Sequence, residues 1–218
     1  MFEASAAAVT LDSEQFTHTA PMPLYNAEIS AGSLLTLESK RVAALLLTAP
    51  DEATWWHAIE VDNILQKKTP ASARRQATLI RKRLNTLDPQ AWKMLGEREH
   101  EVVTQLLLVA AVKHSQLLGD FMLNVYAQRQ RSLEHVLAPS DWQDFLTECA
   151  HRDPAVANWS ASTRAKLFQV IVRILAEAKY LASASSMKLT PQSLHPEVRR
   201  YLRDHDETHV LDCLERAK

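Results

Sequence analysis

Glycine is scarce in this 218-residue chain, which contains only Gly32, Gly96 and Gly119. The loops that cradle phosphates in nucleotide-binding enzymes need closely spaced glycines, because only glycine lets the backbone come so close to the phosphate. The two cysteines, Cys149 and Cys213, fit neither a metal-binding spacing nor a disulfide framework. We therefore expect no nucleotide-dependent chemistry, no cofactor, and two buried thiols in a reducing compartment.

Long hydrophobic runs are also absent. The longest strongly apolar stretch without a charge covers residues 102–112, well short of the roughly 20 residues that span a bilayer. The first residues lack the cationic start and apolar run of a signal peptide, and Glu3 stands where a signal peptide has neither charge nor polarity. The sequence therefore predicts a cytoplasmic protein without an export signal or a membrane span.

Helix start signals recur along the chain and indicate an all-α fold. Thr69-Pro70 and Asp88-Pro89 each place a capping side chain before a proline that suits the first helical position. Between such signals apolar residues recur every three or four positions, which is the helical period. The predicted helices cover residues 26–34, 37–48, 52–66, 70–87, 89–95, 98–117, 119–136, 141–151, 160–182, 196–205 and 208–216.

The chain divides into three predicted parts. Residues 1–20 form a mobile N-terminal arm, residues 21–153 a helical domain, and residues 154–218 a C-terminal helical unit. In the last unit, a short apolar piece at 187–189 precedes a Thr190-Pro191 turn. Two interpretations of this piece remain open, a small ribbon like that of a winged helix and a plain loop between helices.

Acidic residues are missing from the window between Asp62 and Asp88, although the whole chain has a formal net charge of -1. On a helix each residue turns roughly 100°, so the spacing of the cations predicts which of them share a face. The predicted basic face consists of Arg74, Arg75, Arg81 and Lys82, with Lys67 and Lys68 at the helix entrance and Arg83 on neither face. The predicted apolar stripe consists of Ala77, Ile80, Leu84 and Leu87.

Two interpretations of the basic face remain. It is either a solvated helix surface, as most charge runs are, or a row of contacts to the phosphates of a nucleic acid. The missing acidic residues favour phosphate contacts, because like charges three and four residues apart repel each other. A second patch is formed by Lys166 and Arg173, which lie seven residues apart on the polar side of the helix at 160–182.

Histidine and tryptophan give weaker signals. His205 and His209 stand four residues apart without further metal ligands, and His114 lies near Asp120 in sequence. Ordinary core or helix-end histidines explain both patterns, so no catalytic residue and no metal site is predicted. The adjacent Trp55 and Trp56 point about 100° apart on a helix, so one of them faces a second helix or a partner surface.

Several ordered segments resemble a known family. They are YNAEISAGSLL (25–35), ESKRVAALLL (38–47), VDNILQKKTPASARRQATLIRKRL (61–84), AAVKHSQLLGDF (110–121) and WSASTRAKLFQVIVRILAEAKYL (159–181). These segments are similar to those of BrxA, the small helical component of BREX bacteriophage-exclusion systems. The resemblance implies a non-enzymatic, compact helical bundle resembling NusB that binds DNA beside other BREX components.

The resemblance and the charge pattern lead to the same expectation. The chain binds double-stranded DNA through backbone phosphates with low sequence specificity, and it has no small-molecule substrate. Arg74, Arg75, Arg81 and Lys82 are the principal contacts, Lys67 and Lys68 flank them, and Lys166 and Arg173 form the second patch. The alternatives are a docking or scaffold subunit of the BREX complex and an RNA-binding module like NusB.

Overall fold

A computed structural model describes residues 23–132 and 134–216, so the predicted arm at 1–20 lies outside the described residues. The described part of the chain is built from helices, which confirms the all-α prediction. The α-helices are α1 (Thr36–Leu46), α2 (Glu52–Glu60), α3 (Pro70–Leu84), α4 (Pro89–Glu97), α5 (His100–His114), α6 (Gln116–Phe121), α7 (Ala127–Arg131), α8 (Pro139–Arg152), α9 (Ala161–Glu177), α10 (Pro196–Asp204) and α11 (Thr208–Glu215).

Shorter helical segments complete this list. Glu28–Ala31 and Pro154–Asn158 form 3-10 helices. A π-helical turn at Met122–Tyr126 joins α6 to α7, and the N–H of Ala127 closes it by donating to the carbonyl of Met122. Helix α6 therefore continues into α7 without a loop.

Three of the predicted helix starts are confirmed by their caps. The side chains of Asp51, Thr69 and Asp88 accept hydrogen bonds from backbone N–H groups three residues further along. Such bonds satisfy donors that have no partner inside the helix. The sequence signals therefore placed α2, α3 and α4 correctly.

Several predicted helix bounds were wrong. The helix predicted at 98–117 ends at His114, the one predicted at 119–136 begins at Gln116 and ends at Arg131, and only Glu28–Ala31 of the one predicted at 26–34 is helical. The helix predicted to reach residue 66 ends at Glu60, and Asn63 and Gln66 beyond it have positive φ values of 48° and 54°. The helix predicted to reach residue 182 ends at Glu177, because Lys179 has a φ of 64°. The N–H of the next residue, Tyr180, then bonds the carbonyl of Leu175 at 2.8 Å, which closes a Schellman motif.

Helix α5 lies at the centre of the molecule. Every residue from Val102 to Val112 is buried, and α1, α3, α4, α6, α10 and α11 all contact this helix. One continuous hydrophobic cluster runs from Tyr25 to Leu214 and includes residues on both sides of position 153. The division at 153 and the likeness to NusB stay predictions.

Only part of the apolar piece at 187–189 is extended, because Met187 has a positive φ of 48°. Isolated antiparallel bridges join Lys188 to Val136 and Leu189 to Leu181. The N–H of Leu137 donates to the carbonyl of Met187 at 3.0 Å. The described part of the chain contains no β-structure besides these two bridges. The piece therefore joins two chain segments without forming a full strand.

The length and apolar character of the helices can be compared with those of a membrane span. Among the described residues, no single helix has both the length and the apolar character to cross a membrane. Helix α5 and the helix at Gln116–Arg131 meet those criteria only when taken together, and they are bent by 108° where they join.

Candidate nucleic-acid interface

Helix α3 has the amphipathic character that its sequence predicts. The side chains of its apolar stripe, together with Leu87 just beyond the helix, are at most 7% exposed. Arg74, Arg75 and Lys82 are exposed, and Arg81 is partly exposed. The cations of the predicted basic face therefore do lie on the surface of the molecule.

Carboxylates from other elements cover most of that face. Lys82 bonds Glu28 at 2.7 Å, Lys67 bonds Glu38 at 2.5 Å, Arg81 bonds Glu52 at 2.9 Å, and Nε of Arg74 bonds Glu60 at 2.6 Å. We call Glu28, Glu38, Glu52 and Glu60 the carboxylate cover. Because of it, the acid-free sequence window does not produce an acid-free surface.

Two tryptophans of α2 complete these contacts. The guanidinium of Arg74 lies 5.0 Å from the centre of the Trp56 ring, and that of Arg81 lies 4.4 Å from the centre of the Trp55 ring. Trp55 is buried and Trp56 is half-buried. Both tryptophans therefore contact arginines of α3, which agrees with the second-helix alternative of the prediction.

The other cations of this region have two different environments. Lys68 and Arg75 are exposed, and no carboxylate of residues 23–132 or 134–216 lies within 4 Å of them. Arg83 is only 4% exposed and donates to the carbonyls of Gly32, at 3.0 Å, and Ser33. Burial lowers the pKa of Arg83 to about 10, although the charge of Glu177 acts in the opposite direction.

Among the described residues, no carboxylate lies within 4 Å of the cations of the second predicted patch. Lys166 and Arg173 are exposed on α9, and Lys166 donates a hydrogen bond to the amide oxygen of Gln169 at 3.2 Å. Lys179 and Lys188, which sequence reasoning missed, are also exposed and without an ion pair among the described residues. We call these four cations the α9 patch.

Counting charged residues along the sequence indicates where the α9 patch lies. Residues 154–195 contain five Lys or Arg residues and one acidic residue, Glu177. The carboxylate of Glu177 accepts a hydrogen bond from the N–H of Leu34 at 2.9 Å. Arg164, the fifth cation, donates to the carbonyls of Ala157 and Trp159. The local charge of this segment is therefore not cancelled by ion pairs that the structure shows.

The carboxylate beside His114 is not the one that its sequence position indicates. His114 lies 3.2 Å from Glu28 rather than beside Asp120, which instead accepts the hydroxyl of Tyr25 at 2.6 Å. Burial lowers the pKa of His114, and the charge of Arg83 lowers it further. Within the described ranges, no group of three or more His, Cys, Asp or Glu side chains is arranged to hold a metal ion.

Comparison with known proteins gives consistent matches over most of the chain. A family model described as BrxA matches residues 23–206. The chain is 39% identical over 193 residues to the BREX protein BrxA of Paramagnetospirillum magneticum, covering 88% of this chain and 97% of that protein. It is 36% identical over 188 residues to the BREX protein BrxA of Escherichia coli, covering 86% and 88% of the two chains.

A solved structure has the same fold. The crystal structure of an uncharacterized protein from Magnetospirillum magneticum superimposes with a TM-score of 0.82 at 38% sequence identity. The superposition covers 88% of this chain and 98% of that chain.

Proposed function

The chain belongs to the BrxA family of BREX phage-defence systems, and on this premise we propose that it is a non-enzymatic protein that binds double-stranded DNA. It contacts the backbone phosphates, reads little of the base sequence, and works in the cytoplasm beside other BREX components. Phosphate contacts position a protein on the duplex without carrying sequence information. The two buried free thiols agree with a reducing compartment.

One observation carries this proposal. The α9 patch presents four exposed cations without a carboxylate partner among the described residues, on a chain whose total charge is -1. A neutral protein that gathers unpaired cations on one segment is suited to a polyanion, because phosphates can then replace water at those cations. Lys68 and Arg75 of the α3 region add two further unpaired cations.

The cations in and directly before α3 that are paired with carboxylates have a smaller role in this proposal than their sequence pattern indicates. Lys67, Arg74, Arg81 and Lys82 are each paired with the carboxylate cover. A phosphate that approaches them meets the cover as well, which weakens the attraction. We therefore assign the α9 patch the main contacts.

Salt dependence tests the proposal directly. Four phosphate contacts predict a log-log slope of affinity against salt of roughly -4. Fluorescence anisotropy of a labelled duplex between low and moderate salt measures it. The double variant Lys166→Gln, Arg173→Gln is expected to make the slope less negative by about 2, because each lost contact removes about one unit.

A matched variant controls for net charge. Lys93 and Arg200 are exposed on α4 and α10, and neither has an ion pair among the described residues. The double variant Lys93→Gln, Arg200→Gln removes the same charge and is expected to leave the slope unchanged. A wild-type slope near zero, or equal effects of both double variants, would contradict the proposed contacts, and tighter binding of single-stranded RNA would favour the RNA-binding alternative.

A second candidate function, docking within a BREX complex, is favoured by exposed apolar side chains. Leu37 is 69% and Val61 is 68% exposed. Arg41 and Asp62 line an open groove between α1 and residues 61–66. Leu37 lies one turn before Arg41, and Val61 directly precedes Asp62, so both apolar side chains lie close to this groove in sequence. If docking is the main role, Leu37→Ser with Val61→Ser abolishes co-purification with another BREX component, whereas duplex binding is unaffected.

A further inference from the structure

A cavity of about 360 Å³ lies between α9 and the loop at residues 182–187. Its walls combine apolar and polar side chains. The apolar ones include Phe168, Val172 and Met187, and the polar ones are Gln169, Arg173 and Ser185. A ligand that fits this cavity has both an apolar surface and a group that an arginine binds.

Phe168, on the wall of this cavity, packs against a second aromatic side chain. Its ring stacks on Trp142 with ring centres 5.5 Å apart and planes 21° from parallel. Trp142 is buried, and its indole N–H donates to the carbonyl of Arg164 at 3.0 Å. The cavity therefore has an aromatic wall packed against a buried side chain, and such a wall is suited to a second planar ring.

Arg173 is available to a ligand at the edge of the same cavity. It is exposed, and none of the described carboxylates lies within 4 Å of it. Glu177, one turn further along α9, accepts a hydrogen bond from the N–H of Leu34. The guanidinium can therefore take an anion, and phosphate is the anion that matches its fork of donors best.

We propose that this cavity takes one unpaired nucleotide of a bound DNA. The base lies against Phe168 and Met187, the amide of Gln169 reaches the edge of the base, and Arg173 binds the adjacent phosphate. Aromatic side chains stack on any base, and an amide supplies both a donor and an acceptor. This inference rests on the proposed function and extends it from the paired backbone to a nucleotide outside the duplex.

The experiment compares a fully paired duplex with the same duplex carrying a single unpaired 2-aminopurine nucleotide. The wild-type protein is expected to bind the second DNA about tenfold more tightly, because one stacked base is gained. The 2-aminopurine fluorescence is expected to fall as the base stacks on Phe168. Both DNAs are measured by anisotropy at the same salt concentration.

A cavity-filling variant separates the pocket from the phosphate contacts. Ala184 lines the cavity from an exposed position on the loop, so Ala184→Trp fills the cavity without removing a charge. It is expected to abolish the tenfold preference and the fluorescence change while the affinity for the paired duplex stays the same. Ala182→Trp, on the same loop but outside the cavity lining, is expected to behave as wild type.

The possible results distinguish the two proposals. Equal wild-type affinity for both DNAs, or a preference that survives Ala184→Trp, overturns the nucleotide pocket and leaves duplex binding intact. Binding of neither DNA overturns the proposed function, and the pocket with it. Helical circular dichroism of each variant excludes misfolding as the cause of a lost preference.

Discussion

Arg83 has a different role from the one that its place in a window of surface cations indicates. Its sequence position places it on neither face of α3, yet it is buried and donates to two backbone carbonyls of the segment before α1. Its two terminal nitrogens donate to these carbonyls, whereas its buried Nε has no hydrogen-bond partner among the described residues. A buried guanidinium held in this way fixes the backbone that it bonds, and removing it leaves those acceptors unpaired. Arg83 is therefore a structural residue within a window of surface cations.

This assignment predicts different costs for two neighbouring arginines. Arg83→Met is expected to lower the free energy of unfolding by about 2 to 4 kcal/mol, because the carbonyls of Gly32 and Ser33 lose their partner. Arg75→Met, at an exposed position of the same helix, is expected to change it by less than about 0.5 kcal/mol. Urea unfolding measures both values, and similar costs for the two variants would refute the structural role of Arg83.

Lys179 is a second residue whose environment the structure reveals. It has a positive φ of 64° at the residue where the Schellman motif reverses the chain after α9. A side chain at positive φ is strained by its Cβ atom, whereas glycine is not.

Replacing Lys179 by glycine is therefore expected to stabilise the protein. We expect Lys179→Gly to raise the free energy of unfolding by about 0.5 to 1 kcal/mol. Ala165→Gly, at an exposed position inside α9, is expected to lower it by about 1 kcal/mol, since glycine there only adds flexibility. Thermal unfolding followed by circular dichroism compares the two, and destabilisation by both changes would contradict the role of the left-handed residue.

At the scale of elements, α3 shows where sequence reasoning succeeds and where it stops. Its start, its apolar stripe and its exposed cations follow from capping and period, which depend only on near neighbours in the chain. The carboxylate cover comes from α1, α2 and the 3-10 helix at Glu28–Ala31. No local pattern places those elements beside α3, so the sequence predicts the helix and its exposed face but not the balance of charge on that face.

The carboxylate cover makes a prediction about DNA affinity. Glu52→Gln with Glu60→Gln removes the acidic partners of Arg81 and Arg74, and if α3 lies near bound DNA, duplex affinity at low salt is expected to rise several-fold. The salt slope is expected to become more negative by about 1 to 2 as these arginines meet phosphates. The measurement is anisotropy of a labelled duplex.

A control with the same change of charge makes this test specific. Asp144 and Glu148 are exposed on α8, and Asp144→Asn with Glu148→Gln adds the same net charge away from α3. If both double variants increase affinity equally, the effect is one of total charge, and α3 takes no direct part in binding.

At the scale of the whole molecule, carboxylates link distant elements and make stability depend on pH. Asp88 caps α4 and also accepts a hydrogen bond from the hydroxyl of Tyr201 in α10. Burial alone would raise the pKa of Asp88, but the bonds from the N–H of Ala91 and from Tyr201 lower it overall. The pKa of Glu28 is lowered mainly by its hydrogen bond from Lys82.

The sign of this linkage gives the direction of the pH effect. A carboxyl whose pKa is lower in the folded state stabilises the fold above its ordinary pKa, and this contribution is lost as the pH falls below it. We expect the free energy of unfolding to fall as the pH drops below about 4.5, the ordinary pKa of glutamate. Asp88→Asn is expected to make the part of this fall below about 3.8, the ordinary pKa of aspartate, shallower. Urea unfolding at a series of pH values measures it, and a fall in Asp88→Asn as steep as in an Asp144→Asn control would contradict the role of Asp88.

The π-helical turn at Met122–Tyr126 has a consequence for the evolution of the chain. A π turn holds one residue more than an α turn over the same hydrogen-bonded step. Asn124 is the exposed residue of this turn, whereas Phe121 before it and Tyr126 at its end are buried. A one-residue deletion at Asn124 can convert the turn to regular α-helix and keep both buried residues facing the core, whereas a deletion elsewhere between Gln116 and Arg131 rotates every later side chain by roughly 100°. This turn is therefore where the gene can lose one codon at the least cost to the fold.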